Sequence, residues 1–168
     1  MNLKLISWNV RGLNEVDKRL QIRNLLRSWK ADIVCLQETK LEWITRGTVR
    51  SIWSCSYVNW LYLGSEGASG GILLMWDSRV VEKVEEAVGH FSVSCKFKNV
   101  GDQFEGAFSG IYGPNLNKRR RLMWEELIGL ISWWDLSLGH YRTGIAADGR
   151  ALASSPEDRA IRRLPIGG

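Results

Sequence analysis

No stretch of this chain approaches the ~18 consecutive apolar residues that a bilayer span requires, so no segment reads as a transmembrane helix. The opening residues, MNLKLISWNV, lack the apolar h-region of a secretory signal and run directly into a strand-like pattern. Both absences lead to the expectation of an intracellular protein without a membrane partner. Cysteine is scarce: Cys35, Cys55 and Cys95 form no CxxC pair, which argues against a disulfide framework or a zinc site. Cys35 and Cys95 sit in the apolar runs DIVCLQ and FSVSCKF, where a thiol acts as a small core hydrophobe. Internal repeats are lacking as well.

What is present is the composition of one globular domain, with 45% hydrophobic and 24% charged residues in 168. The net charge of +5 is compatible with a polyanionic partner, because Lys and Arg near phosphates gain affinity by releasing counterions. The densest cluster, Lys118-Arg119-Arg120-Arg121, opens a predicted helix and reads equally as a solvated helix entrance.

The pattern of elements favours α/β. LKLISWNV (3–10) reads as a strand. A helix over 18–30, capped by Asn14 or Asp17, has its apolar stripe at Ile22, Leu25, Leu26 and Trp29. DIVCLQ (32–37) is apolar throughout, as in a strand covered on both faces. A short helix falls within Trp43–Trp53, then strands at 56–63 and 71–76 flank the turn cluster GSEGASGG. Residues 80–88 fit either helix or strand. Phe91–Phe97 and Phe104–Tyr112 alternate with period two, and Asn117 could cap a helix over 118–134 with Met123, Leu127, Leu130 and Trp134 inward. Every Trp, Phe, Cys and Lys lies before Leu136. Residues 137–168 are rich in Ala, Gly, Arg and Ser, which divides the chain into a folded part (1–136) and an irregular tail (137–168), disordered or out of frame.

In open α/β sheets functional side chains gather beyond the carboxyl ends of strands. Asn9, Glu38 and Tyr112 occupy three such ends, with Asn115 close behind. A carboxylate there can hold Mg²⁺ through hard oxygen, an amide can orient a phosphate or water, and a phenol can donate to a phosphate oxygen. Singly, each has a structural reading: a turn former, a surface carboxylate, a half-buried ring.

Together, and in order, ISWNVRGLN, DIVCLQETKLE, GASGGILLMWD and FSGIYGPN resemble the endonuclease/exonuclease/phosphatase (DNase I-like) superfamily. The wording is especially similar to the apurinic-type endonuclease domain of plant LINE retrotransposons, and RRRLMWEELIGLISWWDL continues it to about Leu136. The resemblance implies a four-layer α/β/β/α sandwich, of which this chain would be the N-terminal part, and tips residues 80–88 toward strand. It implies a site in which Glu38 binds Mg²⁺ with help from Asn9, Tyr112 contacts phosphate, and Asn115 is the polar residue after it. It further implies DNA as partner, contacted by Arg11, Lys40, Lys118, Arg119, Arg120 and Arg121, and a nuclear location for a working enzyme.

Two motifs of that family are missing: no Gly-Asp-Phe-Asn and no Ser-Asp-His occur, and neither His90 nor His140 follows an Asp. Acid/base catalysis contributes ~10²–10⁴-fold. The resemblance therefore implies an inactive fragment with weak or absent Mg²⁺, unpaired sheet edges and a tendency to aggregate. A phosphatase, a non-catalytic retroelement relic and a weak nucleic-acid binder using also Lys18 are the alternatives.

Overall fold

The computed structural model describes residues 3–113 and 117–134, and the backbone of strands at 142–147, 150–153 and 161–163. Strands β1 (Leu5–Asn9), β2 (Ile33–Gln37), β3 (Val58–Leu63), β4 (Ile72–Asp77) and β10 (Ile161–Arg163) form one sheet in the order β10-β1-β2-β4-β3. A second sheet runs β5 (Val81–Val88), β6 (Ser92–Asn99), β7 (Glu105–Ile111), β8 (Arg142–Ala147) and β9 (Arg150–Ala153). Helices α1 (Val16–Trp29) and α2 (Arg46–Ile52) cover the first sheet, and α3 (Asn117–Trp133) packs on the second. The expected α/β sandwich of two sheets with helices outside is what the chain adopts.

Strand periodicity explains the layers. Val34 and Leu36 of β2 join Ile22 and Leu26 of α1 and Val49 and Ile52 of α2 in one core. Ile33 and Cys35, pointing the other way, meet Val93, Cys95, Phe97 and Phe108 between the sheets. β4 splits likewise, with Leu73 and Met75 outward to the helices and Ile72, Leu74 and Trp76 inward. These β2 and β4 side chains are nearly all inaccessible, each worth about 1.5–3 kcal/mol of burial. A third cluster of Phe91, Ile111, Met123 and Leu127 seats α3. The sheets come close together at Gly110, where a Cβ would lie 2.6 Å from the Cys35 sulfur and 3.1 Å from Ile72 Cγ2. Only glycine fits there.

Some expectations are corrected. Neither Asn14 nor Asp17 caps α1: the N-cap is Glu15, with no side-chain cap bond, and the Asn14 amide reaches the Lys40 carbonyl instead at 3.4 Å. The short helix starts only at Arg46 because Thr45 Oγ1 accepts from Thr48 N at 3.3 Å, and extended Trp53 ends it. Residues 81–88 are strand, as the resemblance implies; their helix-like spacing comes from a register shift between Lys83 and Glu85 that turns Val84 out.

Within 137–168, read from composition as irregular, β8 pairs in parallel with β7, β9 returns antiparallel to β8, and β10 pairs in parallel with β1. Pairing of this kind uses the open backbone edges of β7 and β1 and needs no side-chain periodicity. The remainder of that segment, including His140, lies outside the described residues, as does Asn115.

Candidate active site

Parallel pairing of β1 and β2 sets Asn9 opposite Gln37, so both strands end together. Their ladder continues past the strands, with Val10 N to Gln37 O at 3.0 Å, Gly12 N to Glu38 O at 2.7 Å and Leu13 N to Thr39 O at 2.9 Å. On the other side Thr39 N donates to Gly71 O and Lys40 N to Gly70 O, at 3.2 and 2.9 Å. Within this frame Arg11, Glu38 and Lys40 are held at φ of 52, 54 and 55°. The left-handed region costs a non-glycine residue about 1–2 kcal/mol, and such strain concentrates at functional sites.

Asn9 is half-buried, and its Oδ1 accepts from Arg11 N at 3.1 Å. Its register neighbour Gln37 is buried and donates from Nε2 to Ile111 O at 3.2 Å, linking the two sheets. The residue after Ile111 is Tyr112, whose N donates to Phe91 O at 2.8 Å. The phenol end of its ring rests on Gly70, where a Cβ would meet Cζ at 3.4 Å and both Cε atoms at 3.5 Å. Since Gly70 O binds Lys40 N, the Tyr112 ring and the Glu38 turn share one rim of the sandwich. Asn9, Glu38 and Tyr112 thus gather at one end.

No group of three or more His, Cys, Asp or Glu stands ready for a metal ion among the described residues. The oxygen donors at this rim are the Glu38 carboxylate and the Asn9 amide. That pair suits Mg²⁺, which keeps several waters and takes one or two protein carboxylates plus substrate phosphate. Thiol chemistry has no support: burial pushes the Cys35 thiol up to about 12 and raises Cys95 as well.

The basic residues fall on two sides of this rim. The aliphatic stem of Lys40 crosses Gly12, with Cδ 3.3 Å from where a Cβ would stand. Lys18 Nζ donates to the Arg11 carbonyl at 3.3 Å, next to Asn9. Lys118, Arg119, Arg120 and Arg121 are all exposed on the first turn of α3. Arg119 pairs with Glu66 at 3.4 Å and stands 5.8 Å from the Phe91 ring centroid, while Arg121 pairs with Glu125 at 3.4 Å. Glu66 belongs to the same turn as Gly70, which ties the cluster to the tyrosine side. Exposed pairs of this kind are worth ~0–1 kcal/mol, so phosphates can replace the carboxylates cheaply.

Gln37, Thr39 and Gly70 escape a reading of the sequence. The Gly/Ser cluster before β4 signals a turn but not a seat for a tyrosine. Glu126 also escapes it: its carboxylate accepts from His90 N, Phe91 N and Ser92 Oγ at 2.6, 3.1 and 2.7 Å, fastening α3 to the β5–β6 turn.

The profile of the Endonuclease/Exonuclease/phosphatase family matches residues 6–152, which takes in this rim and strands of both sheets but not β10. The chain belongs to the endonuclease/exonuclease/phosphatase family. An exodeoxyribonuclease of Bacillus subtilis (strain 168) is 30% identical to it over 132 residues, which are 75% of this chain and 50% of that protein. The chain thus spans about half the length of this curated member of the family. Among solved structures, a mannosyl-6-phosphatase of Bacteroides thetaiotaomicron superposes with a TM-score of 0.65 at 14% identity, covering 88% of this chain and 65% of that one. An AP endonuclease of Leishmania major does so with 0.59 at 14%, covering 85% and 54%. These two share the fold.

Proposed function

We propose that this member of the family acts on DNA phosphodiesters, and that the chain supplies the metal-holding and phosphate-holding side of the site. The observation that carries the reading is the convergence of Asn9, Glu38 and Tyr112 on one rim, framed by the β1–β2 ladder and Gly70. Glu38 and Asn9 would hold Mg²⁺, which when bound neutralises charge on the scissile phosphate and leaving oxygen. The Tyr112 phenol donates to a non-bridging oxygen. Arg11 and Lys40 on one side, and the α3 cluster on the other, bind flanking phosphates. DNA is favoured over a sugar phosphate because the 30% identical member is an exodeoxyribonuclease, whereas the phosphatase shares the fold alone.

Water attack also needs a proton acceptor. Gly-Asp-Phe-Asn and Ser-Asp-His are absent from these 168 residues, and neither His90 nor His140 follows an Asp. We therefore expect DNA binding with cleavage ~10²–10⁴-fold below that of a family member with both motifs. The wording of the WNVRG and LQETK segments supports descent from a plant LINE-type retrotransposon, and with it a nuclear place of action.

The test is nicking of supercoiled plasmid and retention of the same plasmid on a filter, each in Mg²⁺ and in EDTA, beside Glu38→Ala. Mg²⁺-enhanced retention that Glu38→Ala removes, with nicking no faster than the variant's, is the expected result. Rapid nicking that depends on Mg²⁺ and Glu38 would overturn the predicted inactivity. Retention indifferent to both would overturn the metal assignment.

A further inference from the structure

Five residues after Glu38, Trp43 stands in the loop between β2 and α2. It is 74% exposed, the highest value for a large hydrophobic among the described residues. A lone exposed indole on a floppy loop would carry no meaning, but this loop is pinned along its length. Leu41 N is bonded to Thr39 Oγ1 at 3.4 Å, and Leu41 O accepts from Ser65 N at 2.9 Å. The Glu42 carbonyl lies where a Cβ on Gly64 would be, so the backbones of the two loops touch. Ile44 is 5% exposed and anchors in the helix-side core, Leu41 is packed against that core, and Thr45 caps α2. With Leu41 and Ile44 held inward, Trp43 is turned out by the backbone itself.

In sequence it is flanked by two cations. Lys40 and Arg46 lie three residues to either side, and Glu42 is the one acidic side chain between them. Arg46 keeps its guanidinium 5.8 Å from the Trp60 ring centroid, on the α2 side of the loop. The chain from Glu38 to Trp43 reaches at most about 18 Å when fully extended. Trp43 is therefore within about five nucleotide steps of the scissile phosphate at the ~3.4 Å per-strand rise of B-DNA.

We infer that Trp43 is a stacking platform for an unpaired nucleobase beside the cleaved phosphate, and that the site takes nucleic acid with a single-stranded segment there. This rests on the DNA reading above. An indole face on a rigid mount recognises the flat face of a base, which a single strand presents and a duplex hides between neighbouring pairs. Phosphate contacts cannot make that distinction, since both forms carry them.

The test uses the full chain in Mg²⁺, where cleavage is expected to be slow, with affinity read by fluorescence anisotropy. Three labelled probes are needed: a mixed-sequence DNA strand, the same strand in duplex, and a strand of the same length made of abasic sites. Trp43→Ala should weaken binding of the single strand about tenfold and leave the duplex and the abasic strand within about twofold. Trp43→Phe should recover most of the loss. Circular dichroism of both variants should match wild type, because the side chain that is cut back is largely in solvent. Equal losses on all three probes, or no loss on any, would overturn the stacking role while leaving DNA binding intact. If wild type binds none of the probes, the DNA reading itself fails and the inference with it.

Discussion

The ring of Tyr112 faces Gly70, with three ring carbons 3.4–3.5 Å from where a Cβ would stand. Gly70 also has φ of +78°, which an L-residue adopts only under strain. One position therefore sets both a turn and the seat of the phenol that would donate to phosphate.

Gly70→Ala should cost about 1 kcal/mol or more in a urea melt, from the backbone alone. If Tyr112 serves phosphate, DNA affinity should fall beyond that of a variant equally destabilised elsewhere, such as Ile22→Val. A loss matched by that control would reduce Gly70 to a turn residue.

Glu126 binds three donors at the β5–β6 turn, and removal of its carboxylate takes the acceptor from the part-buried Phe91 N–H and Ser92 hydroxyl and from the exposed His90 N–H. Glu126→Ala should lower stability by about 2 kcal/mol. Hydrogen exchange at His90 and Phe91 should rise ahead of exchange in β2. Unchanged protection at those amides would mean that α3 is seated by Met123 and Leu127 alone.

Asp32 and Asp77 should respond to pH in opposite senses. Burial resists ionisation of Asp77, but hydrogen bonds and charge from Arg79 outweigh it and hold the carboxyl below its ordinary value of 3.8. A lowered folded pKa means a contribution that is full above 3.8 and lost as pH falls through the folded value. Burial pushes Asp32 up from 3.8, against the bond from Lys4 N and with the nearby Asp77 charge adding to the rise. Its contribution is full below 3.8 and lost as pH rises through the raised value. Asp77→Asn should thus destabilise by about 2 kcal/mol at neutral pH and little in acid. Asp32→Asn keeps an acceptor for Lys4 and should stabilise at neutral pH only. Melts of both variants across the acid range check the two slopes.

Arg120→Ala with Arg121→Ala should weaken DNA binding at low salt and reduce the slope of log K against log salt by about one for each phosphate that is no longer neutralised. Stability should hold within about 0.5 kcal/mol, since both side chains are exposed. An unchanged slope would move the phosphate path away from α3.

The strand–helix order and much of the core are legible because they are written in periodicity: Ile22 and Leu26 by the helical repeat, Phe91 to Phe97 by alternation. Asn9 and Glu38 are legible as strand ends, and parallel pairing then brings such ends together. Other features have no pattern to read. The Gln37 link to Ile111, the Tyr112 seat and the Glu126 fastening are each made with backbone groups or a glycine, distant in sequence and silent in hydropathy. Val84 misleads because a bulge borrows helical spacing. The strands after Leu136 leave no trace in composition because edge pairing asks nothing of side chains.

The tight meeting of Gly110 with Cys35 has a practical consequence. No reagent can slip between them while the sheets are closed, and the thiol is further silenced by burial. Alkylation of Cys35 would therefore keep time with the parting of the two halves of the sandwich, a few residues from Glu38. A labelling rate that slows when DNA is added would report, from inside the protein, that the substrate clasps both sheets at once.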